Sequence, residues 1–268
     1  MAVVNLEHPI ITFLSDFGLK DNYVGIVKGV ISQMNPWATV IDISHDVPQF
    51  NIGAGKYLLE ASYTRFPEGT IHMAVVDPGV GTKRKGILIE TGNYYFIGPD
   101  NGLFSFLKPR QIKKAYELAK SIYFLKDISA TFHARDIFAP AAAYLSMEGD
   151  FEGMTPRIKQ IQRPERSHSK KEKGNIIGRL IYIDHFGNLV TTIREKGKQI
   201  KGSVYIDGFR IGPVRKTFGS VPIGKPVCYI NSFGYLEIAV REGSAAEYFG
   251  VEEMSLPKIL IAPWKARR

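Results

Sequence analysis

Cysteine is nearly missing from this chain of 268 residues: Cys228 stands alone, so no intramolecular disulfide can form and no cysteine-rich metal site can be built. No run of 18 or more apolar residues occurs, which leaves no stretch long enough for a bilayer-crossing helix. Residues 1–8 lack the hydrophobic centre of a signal peptide, so neither membrane insertion nor export is expected and the cytosol is the expected compartment. Internal repeats and low-complexity tracts are also absent. What remains, at 44% hydrophobic and 12% aromatic content, is a globular chain able to bury two cores of unequal size.

Positive charge is in excess by nine, yet it is unevenly spread. Between positions 157 and 174 seven basic residues (Arg157, Lys159, Arg163, Arg166, Lys170, Lys171, Lys173) face two acidic ones, and the tail adds Lys265, Arg267 and Arg268. These two stretches account for eight of the nine charges, so the body of the protein is close to neutral. No basic stripe interleaved with aromatics is present, and nucleic acid is not the expected partner.

The first part of the chain alternates between strand and helix patterns. Residues 10–15 form a short apolar strand ending in Asp16-Phe17-Gly18, and Asp21 can cap a helix whose apolar positions Tyr23, Val27, Val30 and Met34 follow the 3.6-residue period. Asn35-Pro36 stops that helix. Strands are expected at 39–44, 70–76, 86–91 and 94–97, and helices at 53–63, 110–119 and 136–145. The polar stretch 158–174, with Pro164, reads as a basic linker. Beyond it, short β-rich segments at 176–184, 189–193, 203–206, 227–230 and 235–240 are separated by Gly, Asn and Pro, with one possible helical turn at 244–249. The expectation is an α/β protein. Residues 1–157 form an N-terminal α/β/α domain with a largely parallel sheet, and residues 175–268 a smaller antiparallel, β-barrel-like C-terminal domain.

Three polar residues make little sense as ordinary core. Asp77 opens Val-Val-Asp-Pro-Gly-Val-Gly-Thr-Lys-Arg where a buried strand should emerge into a glycine-rich loop, Arg84 closes that loop, and His133 stands in Thr-Phe-His-Ala-Arg-Asp before an apolar segment. An acid, a permanent cation and an imidazole suffice to activate water without a metal. Asp16, Asp21 and Asp100-Asn101-Gly102 fall in neighbouring strand-end loops, which converge on one sheet edge. Later, Asp184 to Asn188 and Asn231 to Tyr235 each close a strand with polar groups and a glycine. Each has an ordinary structural reading as well: Asp21 as a helix cap, Asp100 to Gly102 as a turn, Asn188 and Asn231 as hairpin shapers, His133 as a structural histidine.

Six blocks in order carry a resemblance over almost the whole chain. They are Leu14-Ser15-Asp16-Phe17-Gly18 with Asp21 and Tyr23-Val24-Gly25, Val76 to Thr82 with Arg84, Gly98 to Gly102, Thr131 to Asp136, Asp184 to Asn188, and Asn231-Ser232 with Gly234-Tyr235-Leu236. The chain resembles the S-adenosylmethionine hydroxide adenosyltransferases, relatives of the bacterial fluorinase and chlorinase enzymes. The resemblance implies hydrolysis of S-adenosylmethionine to adenosine and methionine by a water-derived hydroxide at the ribose 5′ carbon, with Asp77, Arg84 and His133 as the catalytic set. It implies Asp16 on the ribose hydroxyls, Asp21 and Asp184 on the methionine ammonium, Ser232 on its carboxylate, and Asn188 on the adenine edge. It places Phe50, where the halogenating relatives carry tryptophan, against the ligand. It implies a homotrimer with an inter-subunit active site, and no cofactor or metal beyond the substrate itself.

Departures from the halogenating branch favour water. That branch carries tyrosine at the position of Asp77, serine at that of Ala134, and an insertion after the third strand that this chain lacks. A carboxylate beside the nucleophile repels halide by ~1 kcal/mol even under strong screening. Two other classes stand beside this one: a nucleoside-binding module whose basic linker contacts RNA, and a metal-dependent phosphohydrolase built on Asp16, Asp77, Asp100 and His133.

Overall fold

Alternation of side chains across short strands builds the first sheet. The computed structural model describes residues 8–119, 127–148, 156–164, 169–194, 200, 202–253, 255 and 257–263. The basic tail residues Lys265, Arg267 and Arg268, and Arg166 of the basic stretch, lie outside them. Strands β1 (Ile10–Ser15), β2 (Thr39–Ser44), β3 (Ile71–Val75), β4 (Gly86–Thr91), β5 (Tyr95–Pro99) and β6 (Ile112–Glu117) assemble in the order β2-β1-β3-β5-β4-β6. The four strands at one side run parallel; β4 is antiparallel to β5, and β6, antiparallel to β4, returns to the direction of the first four. Every residue of β3 and β5 is buried, as expected of central strands covered on both faces.

Helices supply that cover. Ile11, Phe13, Ile71, Met73 and Val75 point into one cluster with Val24, Val27 and Ile31 of α1 (Tyr23–Met34) and Ala141, Ala142 and Leu145 of α3 (Ala139–Glu148). Their neighbours Thr12 and His72 face the other way. There Tyr63, just beyond α2 (Ile52–Ser62), packs edge-on against His72 and Phe96. The buried face of α1 is thus Val24, Val27 and Ile31, while Tyr23 is nearly half exposed; the expected stripe is turned by about one residue. Asp21 does not cap α1. Asn22 holds the N-cap position, with no side-chain cap bond.

One element has the wrong type in the sequence reading. Residues 110–119 do not form a helix: a short 3-10 turn at Pro109–Gln111 leads into β6. Lys113, Lys114, Ala115 and Glu117 favour helix locally, but pairing with β4 across Ile87↔Glu117 to Glu90↔Lys114 overrides that weak preference.

Close approach of β5 to β3 requires Gly98. A Cβ there would meet the Ala74 carbonyl oxygen at 2.1 Å. Gly98→Ala is expected to lower stability by about 1–3 kcal/mol or more, read as a reduced urea unfolding midpoint.

The chain divides into two compact units, Met1–Pro164 and Glu165–Arg268. The crossing falls inside the expected linker, 158–174, but both ends of that stretch are built into structure. Ile158 N–H donates to Ala115 O at 2.9 Å, and β7 (Lys170–Glu172) pairs antiparallel with β8 (Asn175–Ile183). The second unit continues through β9 (Leu189–Arg194), β10 (Ser203–Ile206), β11 (Phe209–Pro213), β12 (Pro226–Ile230), β13 (Tyr235–Val240), the short helix α4 (Ala245–Phe249) and β14 (Lys258–Ala262). Its sheet is antiparallel, in the order β11-β10-β14-β8-β9-β13-β12 with β7 on β8. The two end strands approach each other through the Arg215↔Tyr229 bridge, where Arg215 N–H donates to Cys228 O at 2.8 Å. The unit is therefore barrel-like, around Leu189, Val204, Leu236, Ile238 and Ile259. Cys228 sits in this core, and burial pushes its thiol up to about 12, which leaves it inert at neutral pH.

Candidate active site

β3 ends at Val75, and two residues later the chain leaves the sheet at Asp77. The loop that follows is internally braced: Val80 N–H donates to Asp77 O, Thr82 N–H to Gly79 O, and Thr82 Oγ1 to the same carbonyl at 2.7 Å. Gly81 adopts φ +77°, and a Cβ on it would meet Ala130 O at 2.6 Å, so the loop lies tight against the segment that carries His133. The loop ends at Arg84, two residues before β4 begins at Gly86.

Arg84 joins the three residues. Its Nε donates to Asp77 Oδ1 at 3.0 Å, its Nη2 donates to Asp77 Oδ2, and Nη2 also stands 3.0 Å from His133 Nδ1. Both partners of the ion pair are nearly buried, and the guanidinium lies 5.5 Å from the centroid of the Phe138 ring. A guanidinium only donates, so His133 Nδ1 accepts and the imidazole proton resides on Nε2. Burial and the Arg84 charge together hold His133 below its ordinary value, which favours this neutral form. Burial pushes the Asp77 carboxyl upward against the opposing pull of Arg84.

His133 precedes a π-helical turn, Ala134–Phe138, that runs into α3. Pro140 has no N–H to offer Asp136, and Ala139 N–H instead reaches back five residues to Ala134 O. The turn aims Arg135 at the same cavity, where its guanidinium lies 5.1 Å from the Phe132 centroid and is held by the fully buried Asp136.

A cavity of about 620 Å3 opens beside these groups, lined by Asp16, Asp21, Phe50, Asp77 and His133 among others. Asp16, at the end of β1, accepts the Phe50 N–H at 2.9 Å. Burial raises its carboxyl, and the Asp77 charge adds to the rise. Phe50 has φ +62° and is 68% exposed, an uncommon backbone for a bulky side chain. The two loops are tied beneath the surface as well. Ser15 Oγ accepts from Phe17 N and stands 2.7 Å from His45 Nδ1, while His45 Nε2 lies 3.1 Å from Asp42, itself paired with Lys28.

Five of the nine expected site residues therefore line one cavity, with Arg84 buried behind it. Asp184, Asn188 and Ser232 belong to the second unit. Asp184 Oδ1 accepts from Phe186 N and Asn188 N, and its Oδ2 from Asn188 Nδ2 at 2.9 Å, so this pair closes its own β8–β9 turn. Ser232 is exposed in the β12–β13 turn, beside Asn231, which accepts from Phe233 N and Tyr235 N. Asp100 does not line the cavity; its Oδ1 accepts from Gln162 N at 2.8 Å. Among the described residues no three His, Cys, Asp or Glu side chains gather as a metal site would require.

The sequence reading missed Gln49, Ser129 and Arg135, which also line the cavity. Arg135 lay within the Thr-Phe-His-Ala-Arg-Asp run and its position beside His133 was a signal. Nothing local marked Gln49 or Ser129.

Comparison with known proteins matches one family over both units. Residues 11–155 match the SAM hydroxide adenosyltransferase N-terminal domain and residues 178–256 the corresponding C-terminal domain. An (R)-S-adenosyl-L-methionine hydrolase of Thermus thermophilus is 39% identical over 256 residues, spanning 90% of this chain and 95% of the relative. A fluorinase of Actinopolyspora mzabensis is 26% identical over 286 residues, spanning 92% and 95%. A crystal structure of an uncharacterized conserved protein from Thermotoga maritima superposes with a TM-score of 0.83 at 34% identity, covering 94% of this chain and all of the other. With both domains matched in order and the loop, ion pair and imidazole in one place, the chain belongs to the SAM hydroxide adenosyltransferase family.

Proposed function

We propose that the protein hydrolyses S-adenosyl-L-methionine to adenosine and L-methionine. The observation that carries this reading is the Asp77–Arg84–His133 chain at the wall of a cavity large enough for a nucleoside. The sulfonium is already a good leaving group, so the difficulty lies in supplying and aligning water. Water, with a pKa near 15.7, is a poor nucleophile until a base takes its proton.

Asp77 is that base. Its raised carboxyl is a better proton acceptor than an ordinary aspartate, and Arg84 fixes its orientation without being able to take the proton itself. His133, with Nδ1 committed to Arg84, presents Nε2–H and orients the water rather than deprotonating it. As the C5′–O bond forms, the C5′–S bond breaks and its electron pair stays on sulfur as the methionine thioether. The water proton passes to Asp77 and then to solvent, so each turnover releases one adenosine, one methionine and one proton. Asp16 takes the ribose hydroxyls, Asp21 the ammonium, and Phe50 covers the ligand. The reading includes a homotrimer in which Asp184, Asn188 and Ser232 serve the ammonium, adenine and carboxylate, and a cytoplasmic location. No helix among the described residues is long and apolar enough to cross a membrane.

Incubation of the pure protein with S-adenosylmethionine, followed by chromatography, tests the reading. Adenosine and methionine are expected in equal amounts; their absence, or formation of methylthioadenosine alone, sinks it. No step uses a metal, so dialysis against a strong chelator is expected to leave the rate unchanged. A rate restored only by added divalent cation would point to the phosphohydrolase reading instead.

A further inference from the structure

The turn after β5 grips the catalytic loop at both ends. Asn101 Nδ2 donates to Val76 O at 2.8 Å, and Val76 directly precedes Asp77. The same side chain accepts Leu103 N–H on its Oδ1 at 3.2 Å, which commits both ends of the amide and fixes its orientation. One residue earlier, Asp100 N–H donates to Lys85 O at 2.9 Å, and Lys85 directly follows Arg84. Two adjacent residues therefore clamp the chain one position before the base and one position after its guanidinium partner.

A second segment holds this turn in place. Gln162 N–H donates to Asp100 Oδ1, and Arg163 Nη1 donates to Ser105 O at 2.9 Å, with Nη2 on Leu107 O. Gly102, at φ +101°, lies so close to Pro164 that a Cβ would meet its ring at 2.6 Å. Residues 162–164 thus lie as a strap across the turn, and the turn has no freedom to follow a drifting loop.

We propose that Asn101 is a positioning residue for the reaction: through the Val76 carbonyl it sets where Asp77 leaves the sheet, and so the register of the Asp77 carboxylate against Arg84 and His133. The side chain does not line the cavity and touches no reacting atom. Its work is on the backbone. The alternative, a turn-forming asparagine with no catalytic consequence, predicts that its loss lowers stability and leaves the surviving enzyme unchanged.

The proposal rests on the hydrolase reading, and its test separates the two. Asn101→Asp keeps the size and the acceptor for Leu103 N–H but removes the donor to Val76 O; Asn101→Ala removes both. In each, kcat per folded molecule is expected to fall on the order of 10- to 100-fold, as a small misplacement of a reacting group costs, with KM within about twofold. Amide hydrogen exchange is expected to quicken at residues 77–85 in both variants. Should Asn101→Ala fail to fold, Asn101→Asp alone carries the comparison. An unchanged kcat in folded variants, or exchange at 77–85 like that of the wild type, overturns the proposal. If the wild type itself forms no adenosine, the hydrolase reading fails, and the exchange measurement still decides whether Asn101 holds the loop.

Discussion

Asp77→Asn is expected to lower kcat for S-adenosylmethionine hydrolysis by about 10²–10⁴-fold, the usual worth of a positioned general base, while adenosine still binds. The substitution keeps the shape of the side chain and removes its ability to take a proton, together with the charge and one of the two acceptors that pair with Arg84. A pH profile sharpens the prediction. The proposed base works as a carboxylate, so the wild-type rate is expected to fall on the acid side as Asp77 takes up a proton. Burial moves that limb above the ordinary carboxylate range. His133 is displaced the other way, so the acid limb is not an ordinary histidine titration. The residual activity of Asp77→Asn is expected to be flat across the same limb. A variant with near wild-type kcat, or one that keeps the acid limb, would remove Asp77 from the base position.

The second large effect is on stability and concerns a residue remote from the chemistry. His72 is fully buried on β3, with Nδ1 2.8 Å from Thr12 Oγ1 and the rings of Tyr63, Phe66, Tyr94 and Phe96 around it. Nε2 has no hydrogen-bond partner among the described residues. Burial lowers its pKa from 6.5 to about 3. The folded state keeps the ring neutral, while the unfolded chain takes up a proton below about pH 6.5, so the unfolded state binds more protons and stability drops as pH is lowered. The contribution is fully present above pH 6.5 and is lost between that pH and about 3, at about 1.4 kcal/mol per unit. His72→Leu removes it. Between pH 7.5 and 5 the wild type is expected to lose about 2 kcal/mol more than the variant, read from urea unfolding at the two pH values. Equal losses would mean that His72 is protonated in the fold.

Much of this architecture was legible because its signals are local. The strands at β10 and β13 have the bounds that alternation and flanking turns suggest, and Asn35-Pro36 does end α1. Elements were lost where tertiary pairing decides. β6 reads as helix until β4 is placed beside it, and β14, in the chain's basic end, has its register set by β8 and β10. β11 was a different kind of miss. Asp207-Gly208, between Ile206 and Phe209, adopts φ of +44° and +88° as a tight hairpin turn, and Asp-Gly between apolar runs was a signal in plain view.

The site divides in the same way. Asp77, Arg84 and His133 stood out because charged residues interrupt apolar stretches at strand ends, where α/β proteins gather their polar groups. Asp21 gained weight from the structure: with Asn22 at the cap position, helix capping no longer accounts for it, and it lines the cavity. Asp184 and Asn188 show the opposite, since the hairpin-shaping role weighed for Asn188 is one that the pair performs. Asn101 stood in a loop the sequence marked, Asp100-Asn101-Gly102, but its hold on the catalytic loop could not be read there, because the carbonyl it binds lies 25 residues earlier in the chain.

The central claim is that a water molecule held by Asp77 and His133, both oriented by Arg84, attacks the ribose 5′ carbon. Turnover of S-adenosylmethionine in water enriched in oxygen-18, with mass analysis of both products, tests it directly. The account predicts one labelled oxygen in adenosine, at its 5′ hydroxyl, and none in methionine. Unlabelled adenosine, or label carried into methionine, would contradict it.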